Sequence, residues 1–143
     1  MRIGLDVHGV IDRYPQYFQK ISKALVSAGH EVHIITGQPW SDIGKKVDEW
    51  YYISHTHHFS IVDHHAKLGT KMWQDEKKTW WMEEQDWNRS KGDYIHVAQI
   101  DVHFDDNWEY VNWIPDTCTT IIVPKTGFHN IFVELATIIK GDI

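Results

Sequence analysis

Arg2-Ile3-Gly4-Leu5-Asp6-Val7-His8-Gly9-Val10-Ile11-Asp12 is a short apolar run that delivers a carboxylate directly into a glycine turn. The run reads as a buried strand over residues 2 to 6 that ends in a loop. Open α/β folds bind ligands beyond the carboxyl ends of their strands, so Asp6 stands where a site is expected. His8, between the acid and the glycine, is the unexpected residue.

Downstream, Pro15 suits the first turn of a helix, and Phe18, Ile21, Leu25 and Ala28 follow at near-helical spacing until Gly29. Residues 31 to 36 carry Val32, Ile34 and Ile35 into a second glycine turn, Thr36-Gly37, which completes a strand, helix, strand unit. A helix opening at Pro39, with Ile43, Val47 and Trp50 on one face, leads to a third strand over residues 59 to 62. Residues 64 to 88 break the alternation. Trp73, Trp80, Trp81 and Trp87 surround Asp75-Glu76-Lys77-Lys78, and the segment reads as a small hairpin-like insertion or lid. A short helix over 91 to 98, strands over 100 to 104 and 119 to 123, and a closing helix over 131 to 139 complete the pattern. Asp12 reads as a helix cap before Pro15. The expectation is one α/β domain over residues 1–143, Rossmann-like, with three α/β/α layers and a mainly parallel five-stranded sheet.

Composition narrows the function. Fourteen Lys and Arg against twenty Asp and Glu give a net charge of −6, which argues against extensive nucleic-acid binding or an anionic membrane partner. Cys118 is the only cysteine, which excludes an intrachain disulfide framework and a cysteine-rich zinc site and suits a reducing compartment. No apolar run approaches the roughly 18 residues of a membrane span, and Asp6 interrupts anything resembling a signal peptide. The expected location is cytoplasmic.

Four polar features fall at equivalent places in this scheme: Asp6 after the first strand, Thr36 after the second, Lys91 before the helix leading to the fourth, and Asp105-Asp106 after the fourth. In a parallel sheet these places share one edge. A crossover helix returns antiparallel, so a lysine at its amino end belongs to that edge too. About seven helical residues at 1.5 Å and about five strand residues at 3.3 Å span comparable lengths, so Lys91 can face Asp105. Carboxylates, a hydroxyl, an ammonium and glycine-turn amides in one crevice suit a phosphoryl group beside a magnesium ion, which prefers hard oxygen ligands.

The ordered set resembles the haloacid dehalogenase-like (HAD) superfamily, most of whose members are magnesium-dependent phosphohydrolases. Asp6-Val7-His8-Gly9-Val10 stands in place of that family's Asp-x-Asp-Gly-(Thr/Val) motif, and Thr36 in Ile34-Ile35-Thr36-Gly37 in place of its second-strand Thr or Ser. Lys91 has the better position for the family lysine, with Lys67 or Lys71 as substitutes, and Asp105-Asp106 matches its late acidic pair. The resemblance implies an aspartyl-phosphate on Asp6 and a catalytic set of Asp6, His8, Thr36 and Lys91. It further implies phosphate binding at Gly9, Thr36, Gly37 and Lys91, and Mg2+ held by Asp6, Asp105, Asp106 and the His8 backbone carbonyl. The departure is His8, because the family's second Asp is the proton donor and acceptor. An imidazole can carry protons at neutral pH, whereas a neighbouring cation favours its neutral form.

The resulting expectation is a small-cap phosphatase acting on a phosphorylated small molecule, with a nucleotide or a nucleic-acid terminal phosphate as candidate substrates. The alternative is a catalytically weakened phosphate- or nucleotide-binding protein. Self-association into a homo-oligomer is compatible with an open site that a second copy covers. A phosphoacceptor receiver domain would use Asp63, but no Thr and Lys follow it in the required places. His55, His57, His58, His64 and His65 are dense enough to suggest a transition-metal site, yet their spacing favours loop histidines, with His64 and His65 near the substrate. The tryptophans of the insertion read first as a small hairpin core and second as a stacking surface for a base.

Overall fold

In the computed structural model, which describes residues 1–127, β1 (Arg2–Leu5) is followed by a one-turn loop over Val7–Ile11 and helix α1 (Pro15–Ser27). Then come β2 (Glu31–Thr36), α2 (Trp40–Lys45, extended by a wider turn over Lys46–Trp50), β3 (His57–Ser60) and α3 (Ile61–Leu68). A hairpin of β4 (Trp73–Gln74) and β5 (Trp80–Trp81) precedes α4 (Glu84–Ala98), β6 (Val102–Asp105), a 3-10 turn over Trp108–Trp113 and β7 (Thr119–Ile122). The closing helix expected over 131 to 139 lies outside the described residues.

The main sheet is wholly parallel in the order β3-β2-β1-β6-β7, and the short hairpin forms a separate antiparallel pair. This is the expected five-stranded α/β architecture. Apolar side chains fill both faces. Leu5, Phe18, Val32, Ile34, Ile43 and Val47 pack on the side of α1 and α2, while Ile35, Ile95, Ile100, Tyr110 and Cys118 pack on the side of α4. Fully burying one such aliphatic or aromatic side chain is worth about 1.5–3 kcal/mol, so these faces fix the register of the strands.

Several boundaries differ from the sequence pattern for physical reasons. Ile61 and Val62, expected to continue β3, begin α3 because Ser60 caps it: its hydroxyl accepts from Asp63 N at 3.1 Å. Helix α4 starts at Glu84 rather than Lys91, so Lys91 is the eighth residue of a fifteen-residue helix and not its amino end. The expected Trp-rich hairpin is present as β4 and β5, with narrower bounds: residues 64 to 88 also hold the end of α3 and the first turn of α4. Ile100 belongs to the turn after α4, its N–H bonded to Ile95 O at 3.0 Å, and β6 begins at Val102. Asp12 does not cap α1; its carboxylate turns back to the β1 loop, and Tyr14 holds the N-cap position without a side-chain bond.

Candidate active site

Chain order places the site. From β1 the chain builds outward through β2 and β3, then crosses back to lay β6 on the other side of β1. The carboxyl edge between β1 and β6 is thus the point where strand order reverses, the place such sheets reserve for ligands. Alternation along the strands puts Gly4 and Asp6 on the same face as His103 and Asp105, and α4 covers that face.

Lys91 reaches this edge from mid-helix by side-chain length. Its Nζ lies 3.1 Å from Asp6 Oδ1 and 2.8 Å from Asp105 Oδ2, with all three side chains buried, and 4.4 Å from the centre of the Tyr110 ring. His103 is fully buried below Asp105 and places Nε2 3.0 Å from the same Oδ2, while Asn107 N donates to Oδ1 at 3.0 Å. The close approach of His103 needs Gly4: a Cβ there would sit 2.7 Å from His103 Nδ1.

These contacts set the charges. Burial pushes the Asp6 carboxyl up to about 7; Lys91 pulls against it and the neighbouring Asp105 carboxylate adds to the rise. Burial also acts to raise Asp105, but the Lys91 ammonium and the bonds from His103 and Lys91 outweigh it and hold that carboxyl well below its ordinary range. Lys91 is firmly protonated because the two acids outweigh its own desolvation. The pair of carboxylates therefore shares one ammonium, and burial leaves the Asp6 carboxyl able to take up a proton near neutral pH.

Asp6, Asp105 and the exposed Asp106 bring carboxylate oxygens within 4.8 Å of one another. Gly9 makes room for the third acid. Its φ is +76°, and a Cβ at that position would run into the Asp106 carboxylate. The β1 loop is clasped by Asp12, whose Oδ1 accepts from Gly9 N at 2.7 Å and whose Oδ2 lies 3.2 Å from His8 Nδ1. Three hard carboxylates at the ends of β1 and β6, the third admitted by Gly9, fit magnesium or another oxygen-preferring divalent ion.

A chamber of about 680 Å3 opens above these groups. Asp6, His8, Gly37, Lys91 and Asp106 line it, together with residues of the hairpin. Thr36 ends β2 at the same edge but is fully buried, its hydroxyl accepting from Gln38 N at 3.4 Å, and neither it nor Gly9 lines the chamber. Lys67 and Lys71 are exposed on and beyond the end of α3 and do not line it. Asp63 lies in the first turn of α3, bonded to Trp40 N at 2.9 Å, rather than at a strand end.

The dense histidines separate. His57 stacks on His33 with ring centres 4.3 Å apart, His58 stacks on Trp40 at 3.9 Å, and His65 bonds to Thr70 and Ser90. His64 and His65 border a different, smaller cavity and do not line the chamber. Glu31, His33 and His57 do bring ligand-type atoms together. Both nitrogens of His33 are already engaged there, by Glu31 and Tyr94, and Glu31 also pairs with Arg2 at 3.2 Å.

Sequence reasoning did not single out His103, Tyr110 or the clasping role of Asp12. His103 had a signal, since it stands two residues before Asp105 on one strand and must share its face. Tyr110 had none, because it arrives from an irregular turn. No protein-family model, curated protein or solved structure matches the chain.

Proposed function

We propose that the protein is a magnesium-dependent phosphomonoester hydrolase of the HAD type that works through an aspartyl-phosphate on Asp6. The observation that carries this reading is the Lys91 ammonium held between Asp6 and Asp105 at the switch point of a parallel sheet. Asp6, Asp105, Asp106 and the His8 backbone carbonyl would hold the metal. When bound, magnesium screens the repulsion between the Asp6 carboxylate and the anionic ester and keeps that carboxylate ionised.

In this reading a carboxylate oxygen of Asp6 attacks phosphorus, the new O–P bond forms, and the ester O–P bond breaks. Protonated His8, held by Asp12, gives its proton to the departing alkoxide. Neutral His8 then takes a proton from the water that attacks the aspartyl-phosphate, and Asp6 is released as a carboxylate with inorganic phosphate. Lys91 and the Gly37 turn balance the charge on the nonbridging oxygens, and buried Thr36 supports that turn. His103 holds Asp105 in place from below.

Phosphate release from a panel of phosphomonoesters, with and without magnesium, tests this reading. Activity that needs magnesium and disappears in Asp6→Asn supports it; activity unchanged in that variant overturns it. His8 itself motivates a second reading, a phosphate- or nucleotide-binding protein without turnover, in which affinity persists across the panel but no phosphate is released.

A further inference from the structure

The hairpin and the start of α4 supply part of the chamber wall, with Lys77, Lys78, Trp81 and Trp87 lining it. The hairpin tip is held by the Asp75 carboxylate and by Gln74, whose Nε2 donates to Lys78 O at 3.1 Å. Asp75 Oδ1 accepts from Lys77 N and Thr79 N, each at 2.9 Å, and Oδ2 accepts from Trp81 Nε1 at 3.0 Å. These donors hold the Asp75 carboxyl below its ordinary range. The Trp81 N–H is thereby committed, although the residue remains 49% exposed where it borders the chamber.

Trp87 is arranged in a similar way. Its Nε1 donates to Tyr110 Oη at 2.8 Å, and its ring abuts Gly37, where a Cβ would come within 2.6 Å of Cζ2. Two indoles whose N–H groups are already satisfied can offer an occupant ring surface but no donor, which is the chemistry of stacking on a flat ring. Lys77 and Lys78 add positive charge on the same wall, while Asp42 and Glu84 offset it. A strand of nucleic acid needs a longer basic groove than two lysines on a chain of net charge −6 provide. The volume, about 680 Å3, suits a small ligand.

We propose that the chamber binds a free nucleoside monophosphate, its phosphoryl group at Asp6 and its base against the Trp81 and Trp87 rings. This deepens the hydrolase reading and rests on it for the position of the phosphoryl group. Calorimetric titration of the Asp6→Asn protein in magnesium, and of wild type in a chelator, would compare adenosine monophosphate, glycerol phosphate and a terminally phosphorylated oligonucleotide.

The nucleotide is expected to bind about tenfold or more tightly than glycerol phosphate, the effect of one base–indole stack. That preference should collapse in Trp81→Ala and largely persist in Trp81→Phe. Equal affinities, a preference indifferent to Trp81→Ala, or tightest binding of the oligonucleotide would overturn the proposal. Turnover of the same probes by wild type separates the two claims. Preferential nucleotide binding with no turnover supports the chamber assignment and overturns the hydrolase reading. Equal turnover with equal affinities does the reverse.

Discussion

The Lys91 ammonium lies 2.8 Å from Asp105 Oδ2, a buried ion pair joined by a second buried carboxylate, Asp6, at 3.1 Å. Removing one partner of such a cluster leaves uncompensated charge in a low-dielectric interior, which costs about 3–5 kcal/mol. Lys91→Met, similar in bulk, should lose that much stability in denaturant titrations near neutral pH. The loss should shrink on acidification, because the orphaned carboxylates can then take up protons. Unchanged stability would mean that the lysine does not hold the acids together.

Magnesium should raise the melting temperature of the wild type in proportion to RT ln(1 + [Mg2+]/Kd). Asp106→Ala should lose most of that increment. Gly9→Ala should lose it as well and also cost about 1–2 kcal/mol from a left-handed φ forced on alanine. Thermal melts across a magnesium series check both; an equal increment in all three proteins would remove Asp106 from the site.

His8 distinguishes turnover from mere binding. If it carries the proton, His8→Ala should lower kcat by about 10²–10⁴, the usual worth of a positioned acid or base, with little change in substrate affinity. His8→Asp should retain activity, since it restores the carboxyl group of the motif that the chain resembles. A wild type without turnover that gains it in His8→Asp would favour the binding-protein reading.

Much of this site is legible in the chain because a parallel sheet converts sequence position into spatial position. Asp6, Thr36 and Asp105 all follow apolar runs that end in turns, and each lands on the same edge. Lys91 reached the site for a different reason from the one its position suggested. Gln85, Asp86, Asn88 and Arg89 are polar enough to hide the first turns of α4, so Lys91 read as an amino-terminal residue although it projects from mid-helix. The β-branched Ile61-Val62 pair read as strand until the Ser60 cap decided otherwise. Tyr110 comes from an irregular turn and Trp87 from the first turn of α4 that the polar residues hide, and packing brings them under Lys91 and against Gly37.

His33 should make stability pH-dependent away from the acids. It is buried on β2, with Glu31 Oε2 at 3.0 Å, Tyr94 Oη at 2.7 Å and the His57 ring stacked beside it. Burial lowers its pKa, and His57 and Arg2 act in the same direction, while Glu31 opposes them. Above the ordinary value of 6.5 both folded and unfolded chains carry the neutral ring. Below it the unfolded chain binds the proton first, so stability falls as pH drops below that value until the folded ring is protonated as well. His33→Gln should flatten that part of the curve in denaturant titrations; parallel curves for the two proteins would contradict the assignment.

The most direct measurement is mass analysis of the peptide that carries Asp6 after acid quenching of a phosphomonoester reaction in magnesium. A single phosphoryl group on Asp6, formed in the wild type and missing in Asp6→Asn, is the predicted result. Turnover that leaves Asp6 unmodified, or that places the phosphoryl group on another residue, would contradict the account.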